Sequence, residues 1–191
     1  MKQRGRLRQR RIGLAWCLIP LLLMLISSAA AQKRDPLNEK EIDEMRETAD
    51  APNKRLELMV KFARARLKAI EELQTNGKSA KNRPLQLHDL LEDFTSLLDE
   101  IADNLDMYGS RKVDMRKGLT LLIEANSEWK LRLRRLKEQS PPEELEQYSF
   151  VLTNATEAVD DMGDDARQEL QQQNKLAHEK KLSSDFSEHR N

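Results

Sequence analysis

The sequence predicts an all-α protein: an elongated, antiparallel, coiled-coil-like three-helix bundle organised around one long central helix over residues 86–139. Three observations carry this. Apolar side chains recur at steps of three and four along most of the chain, with no strand-like alternation anywhere. Gly and Pro number only 6 each among 191 residues, and beyond the leader they cluster at a few points, so long helices are expected rather than many short elements. Charged residues make up 35% against 4% aromatics, a balance typical of extended helical bundles.

The chain opens with a leader over residues 1–31. Lys2, Arg4, Arg6, Arg8, Arg10 and Arg11 precede an apolar run, Leu14 to Ile26, and a small-residue segment ending Ala29-Ala30-Ala31. This is the three-part plan of a secretory signal peptide. The run is shorter than the roughly 20 residues that span a bilayer, and Pro20 interrupts it. Cleavage after Ala31 by a Sec-type route is therefore expected, with a secreted or periplasmic product; a retained anchor is the alternative. Arg10-Arg11 is read as ordinary leader charge rather than a twin-arginine signal.

The leader also hides the charge balance. Its six cations leave 27 basic against 33 acidic side chains beyond residue 31, a net of −6, although the whole chain sums to zero. Cys17 is the only cysteine and lies in the leader. Disulfides, thiolate nucleophiles, zinc-thiolate sites and c-type haem attachment are thereby excluded from the remainder.

Residues 32–182 form the helical domain, with helices about 38–76, 86–139 and 141–180. Asn38 is a good N-cap, and Glu39 and Glu41 stand in the first turn, where the helix dipole favours acids. Pro52 interrupts this stretch: either a new helix begins there, capped by Asp50, or one helix continues with a kink, and the kink is favoured because Leu56 returns on the same face as Ile42, Met45 and Ala49. Leu56, Val60, Ala63, Leu67 and Ile70 continue the stripe, Asn76-Gly77 stops it, and residues 77–84 form a polar loop.

The central seam runs Leu87, Leu91, Phe94, Leu98, Ile101, Leu105, Tyr108, Lys112, Met115, Leu119, Leu122, Asn126, Trp129, Leu133, Leu136. It crosses Gly109-Ser110 without a change of phase, which predicts a single helix of roughly 80 Å at about 1.5 Å per residue. Pro141-Pro142-Glu143-Glu144 opens the third helix, whose seam is Leu145, Tyr148, Leu152, Ala155, Val159, Met162 and Ala166. The tail 183–191 has too little apolar content to pack and is expected to be disordered.

Antiparallel folding about the 77–84 loop would bring Arg55, Lys61, Arg64 and Lys68 level with Asp103, Asp99 and Glu92. Folding about Ser140-Pro141 would set Asp160, Asp161, Asp164 and Asp165 against Arg116 and Lys117. Such pairs select register more than they stabilise, at about 0.2–1 kcal/mol for each exposed one.

No catalytic, cofactor or metal site is legible. Di-iron bundles need Glu-x-x-His pairs, and none of His88, His178 or His189 has one. His88 and Glu92 share a helical face, which reads as a surface salt link. Asp160-Asp161-Met162-Gly163-Asp164-Asp165 lacks the alternation and closing glutamate of a calcium loop and reads as a solvated helix face. Asn154-Ala155-Thr156 matches a glycosylation sequon but falls mid-helix. No nucleophile–histidine pairing or glycine-rich phosphate loop is present, so an enzyme is not expected.

Two features remain as candidate sites. Trp129, Lys130, Arg132, Arg134, Arg135 and Lys137 form a possible interaction face, toward a protein partner or a membrane surface. Export and the net negative charge argue against nucleic acid. Trp129, being on the seam, also reads as core. Asn126 stands where the seam wants an apolar residue: it either sets register from within the core or faces water at the bundle's edge. The function expected is that of an exported, non-enzymatic interaction or structural protein of the cell envelope, working through a protein partner or self-association. A periplasmic holdase-type chaperone and a membrane-surface tether are the alternatives, the tether needing a retained leader or the basic 130–137 face.

Overall fold

A computed structural model describes residues 35–76 and 82–188. Residues 1–34, Cys17 and the expected leader among them, residues 77–81 within the expected polar loop, and residues 189–191 with His189 lie outside the described residues. Within them are five helices: α1 (Glu39–Arg46), α2 (Pro52–Asn76), α3 (Arg83–Ser110), α4 (Arg116–Gln139) and α5 (Pro142–Glu188). The fold is an all-α helical bundle, as the composition and periodicity predict.

The continuous helix over 86–139 does not exist. Residues 111–115 break it, and α4 folds back along α3. The rings of Phe94 and Trp129 meet edge to face with centroids 5.6 Å apart. In one straight helix these positions would lie about 50 Å from each other. The bundle therefore has four long helices rather than three. α3 and α4 each pack on α2 and on α5 and face each other across the core.

Long-range bonds give the directions. α2 runs antiparallel to α3, with Arg55 Nε donating to Asn104 Oδ1 (2.8 Å) and the Tyr108 hydroxyl to the Ala49 carbonyl (3.3 Å). It runs parallel to α4, where Arg64 meets Glu128 (3.0 Å) and Arg132 meets Glu71 (2.9 Å). α5 is antiparallel to α4, with Lys130 on Asp160 (2.5 Å), and parallel to α3, with Arg83 bonded to Glu144.

The expected seams are buried almost residue for residue, from Leu56 to Ile70, Leu87 to Tyr108, Met115 to Leu136 and Tyr148 to Ala166. Lys112 is exposed in the turn, Leu145 and Ile42 are half-buried, and Ala49 is exposed. The expected charge matching is replaced by other partners. Arg55 meets Asn104 rather than Asp103, Lys61 turns to Glu44 (2.7 Å) and Lys68 to Glu72 on its own helix (3.5 Å). Arg116 pairs with Asp114 (2.6 Å) and Asp164 with Arg167 (2.7 Å). Long flexible cations take whatever acid the packed core leaves within reach, so core packing and not charge fixes register here.

Pro52 breaks the first helix rather than kinking it. It starts α2, where its missing N–H costs nothing, and the turn over 47–50 sends α1 back along α2. Asn38 caps α1 as expected, in a reciprocal capping box with Glu41 (3.1 and 3.0 Å). Glu41 is also gripped by Arg66 of α2 (2.9 and 2.5 Å), whose guanidinium reaches the Pro36 carbonyl as well (2.5 Å). Burial opposes ionisation of Glu41, but the Arg66 hydrogen bond, the Asn38 N–H and the guanidinium charge outweigh it and lower its pKa. At the other end, the Tyr148 hydroxyl donates to Ser140 Oγ (2.5 Å), which bonds the Leu136 carbonyl (2.5 Å) and closes α4 against α5.

α5 runs on to Glu188, into the segment expected to be disordered. No proline or glycine after Gly163 stops it, and its Gln, Lys, Glu and Ala side chains favour helix without needing a packed face.

Candidate functional site

The site begins at the turn that interrupts the seam. Residues 111–115 leave the helical hydrogen-bond ladder, so their backbone groups need other partners. Two side-chain amides supply them from opposite sides. From α5, Gln173 accepts from the Met115 N–H (2.8 Å) and donates to the Val113 carbonyl (3.0 Å). From α2, Asn53 donates to the Asp114 carbonyl (2.8 Å) and accepts from the Gly118 N–H (2.8 Å). Asp114 completes the start of α4, accepting from the Arg116 N–H (3.1 Å) and holding its guanidinium (2.9 and 2.6 Å). Those Arg116 bonds, side chain first, pull the Asp114 carboxyl from 3.8 down to about 2. The turn is thus clamped to two helices.

Beside it lies an open cleft of about 500 Å³ between the turn and α5. Val113, Leu176 and Ala177 give it an apolar lining, and Lys112, Arg116 and Lys180 contribute cations. Arg116 is neutralised by Asp114, and Glu169, the cleft's other acid, accepts from Gln173 (2.8 Å). Lys112 and Lys180 have no ion-pair partner among the described residues. Past Gln173, α5 is exposed at every position to Ser183 except half-buried Ala177.

Lys112 also has a backbone φ of 55°, in the left-handed region. A non-glycine residue there costs roughly 1–2 kcal/mol.

The predicted basic face does not assemble as a unit. Trp129 is fully buried against Phe94, so it offers nothing to a partner; its seam position outweighs its charged neighbours. Lys130 is engaged by Asp160 and Arg132 by Glu71 and Glu128. Arg134, Arg135 and Lys137 stay exposed at the far end of α4, roughly 30 Å of helix from the cleft.

No family model, curated protein or solved structure matches this chain.

Asn126 is fully buried, which decides between its two readings. Its Nδ2 donates to the Val159 carbonyl of α5, while its Oδ1 has no hydrogen-bond partner among the described residues. Gly163 makes room for it: a Cβ there would come within 2.5 Å of Oδ1. Asn126, Val159 and Gly163 thus fix how α5 lies on α4. A second close approach occurs at Gly118, where a Cβ would come 2.8 Å from Leu56 Cδ1.

Among the described residues, His88, Asp89 and Glu92 are the one group arranged to share a cation, their ligand atoms lying within 4.8 Å of one another. The salt link read from the sequence is loose: His88 Nδ1 stands 3.7 Å from Asp89 and 3.9 Å from Glu92, beyond hydrogen-bond length. Three neighbouring ligands on one partly exposed helix face form no enclosed cage.

Asn53 and Gln173 were not among the residues expected to form a site, and Lys112 was expected in the core seam. Gln173 carried a usable signal, since it continues the steps Ala166 and Leu170 at a seam position, where a polar side chain marks a polar task.

Proposed function

We propose that this chain is an exported, non-enzymatic helical-bundle protein that works by protein–protein contact in the cell envelope. The observation that carries the reading is the mismatch in helix length: α5 has 47 residues and α4 has 24. A helix of roughly 70 Å beside one of roughly 36 Å has a length that its own bundle does not cover. That exposed length borders the cleft. The basic, apolar, small-residue order of the leader supports export. No helix among the described residues is long and apolar enough to cross a membrane.

The reading needs no catalysis, and the perturbed groups fit structural roles. Glu41, Asp114 and Arg116 are shifted by ion pairs with their neighbours, and burial raises Tyr148 against its bond to Ser140. A membrane tether is the weaker alternative, since buried Trp129 removes the aromatic anchor from the basic face.

Two measurements test the proposal. Intact-mass analysis of the exported chain is expected to show a start at Gln32; a mass retaining the leader contradicts release from the membrane. Crosslinking in the native compartment is expected to join the chain to a protein through residues 174–183, and crosslinks confined to lipid refute the contact role.

A further inference from the structure

We propose that the cleft between the 111–115 turn and α5 is a docking site for an acidic protein segment carrying an apolar anchor residue. The inference rests on the interaction role above and gives it a place and a partner chemistry.

Charge comes first. Five ionisable groups line the cleft, Lys112, Asp114, Arg116, Glu169 and Lys180, and Asp114 and Arg116 cancel each other within the turn. Lys112 and Lys180 then stand against the single carboxylate of Glu169, a net of +1, on a chain whose residues beyond position 31 sum to −6. A local positive patch on a negative protein steers an anionic partner to one spot and repels it elsewhere. Apolar side chains share the lining with the cations: Val113, Leu176 and Ala177, with Leu176 44% exposed. A bare inorganic anion would use the lysines and waste Leu176, Val113 and Ala177. A peptide with carboxylates on either side of a Leu, Ile or Phe would use all of them.

The backbone gives a second, independent argument. At φ 55° glycine is the residue that fits without strain, yet the chain carries lysine. Strain of this kind at a residue lining a cleft points to the side chain as the reason for its presence. The Asn53 and Gln173 clamps hold the turn in place, so little ordering cost remains for binding.

The test pans a random peptide library against the exported chain and titrates the enriched peptides, labelled, by fluorescence anisotropy. Enrichment is expected for Asp or Glu flanking a large apolar residue. The pair Lys112→Glu with Lys180→Glu, both exposed positions, is expected to weaken binding by about tenfold or more. The control pair Arg134→Glu with Arg135→Glu leaves it unchanged. Lys112→Gly separates a binding role from a structural one: it is expected to raise the urea midpoint while lowering peptide affinity.

Peptides that bind the lysine variants equally well overturn the docking site and leave the interaction role standing. Failure to enrich any peptide counts against both. Vesicles of anionic lipid that bind, and lose binding in the lysine variants, where peptides do not, assign the cleft to membrane and overturn the proposal. Lys112→Gly with unchanged affinity removes Lys112 from it.

Discussion

Gly163→Ala tests the central contact of the bundle. In an isolated helix the change would stabilise by about 1 kcal/mol, because alanine is the better helix former. Here the added methyl would sit 2.5 Å from Asn126 Oδ1 and 2.8 Å from its Cγ. Asn126 is fully buried and bonded to the Val159 carbonyl. If it stays, the overlap falls at the upper end of the 1–3 kcal/mol typical of overpacking. If it retreats, the bond to Val159 breaks and Nδ2 joins Oδ1 as a buried unpaired atom, at about 1–3 kcal/mol. Set against the propensity gain, the net loss is about 1–2 kcal/mol, or roughly 2–8 °C in Tm for a domain of this size. Urea unfolding followed by Trp129 emission measures it in a chain starting at Gln32, which lacks the other tryptophan, Trp16. In an Asn126→Ala background the obstacle is gone, and Gly163→Ala should become neutral or stabilising by up to about 1 kcal/mol. A stabilising Gly163→Ala in the otherwise unchanged chain, or the same sign in both backgrounds, refutes the account of how α4 and α5 are registered.

Three further outcomes are expected. Arg66→Ala removes the grip on Glu41 and Pro36, and since among the described helices α1 packs on α2 alone, hydrogen exchange should show α1 losing protection while α3 to α5 keep theirs; uniform loss would contradict a separately docked α1. The depressed Glu41 pKa stabilises docking fully above its ordinary value of 4.5, and this contribution is lost as pH falls through the native value, so α1 amides should exchange faster at acid pH than the bundle core, and in Glu41→Gln that extra acid sensitivity should vanish. Gln173→Ala leaves the Met115 N–H and Val113 carbonyl without their partner at the turn, and a loss of about 1–3 kcal/mol in urea unfolding is expected; no loss would mean the clamp is dispensable.

Burial patterns were readable in advance because helical periodicity is a local property. Leu91, Leu122, Leu152 and their neighbours at steps of three and four had one apolar face, and each of those faces is in the core. The same locality misled at Gly109. Tyr108 and Met115 are both buried and seven positions apart, so a turn of this length restores heptad phase and leaves no trace in the spacing. Pro52 was ambiguous for a related reason: the return of Leu56 to the same face holds equally for a kink and for a break followed by a reversal.

The candidate site was less legible than the fold. Its apolar lining and free lysines come from residues about 60 positions apart, Lys112 and Val113 on the turn with Leu176 and Lys180 on α5, and no window of sequence contains both. The basic run 130–137 lay within one window and was singled out, but tertiary pairing with Asp160 and Glu71 used part of it and core packing took Trp129.

Composition and helical spacing were sufficient to set an all-α chain and the faces its helices bury, because each depends on near neighbours or on a count. Helix number, the reversal at 111–115, the α4–α5 register and the cleft were decided only when distant segments met. Their determinants, Asn53, Asn126, Gly163 and Gln173, act on groups roughly 30 to 65 residues away, and the energy of such a contact is nowhere in the local pattern.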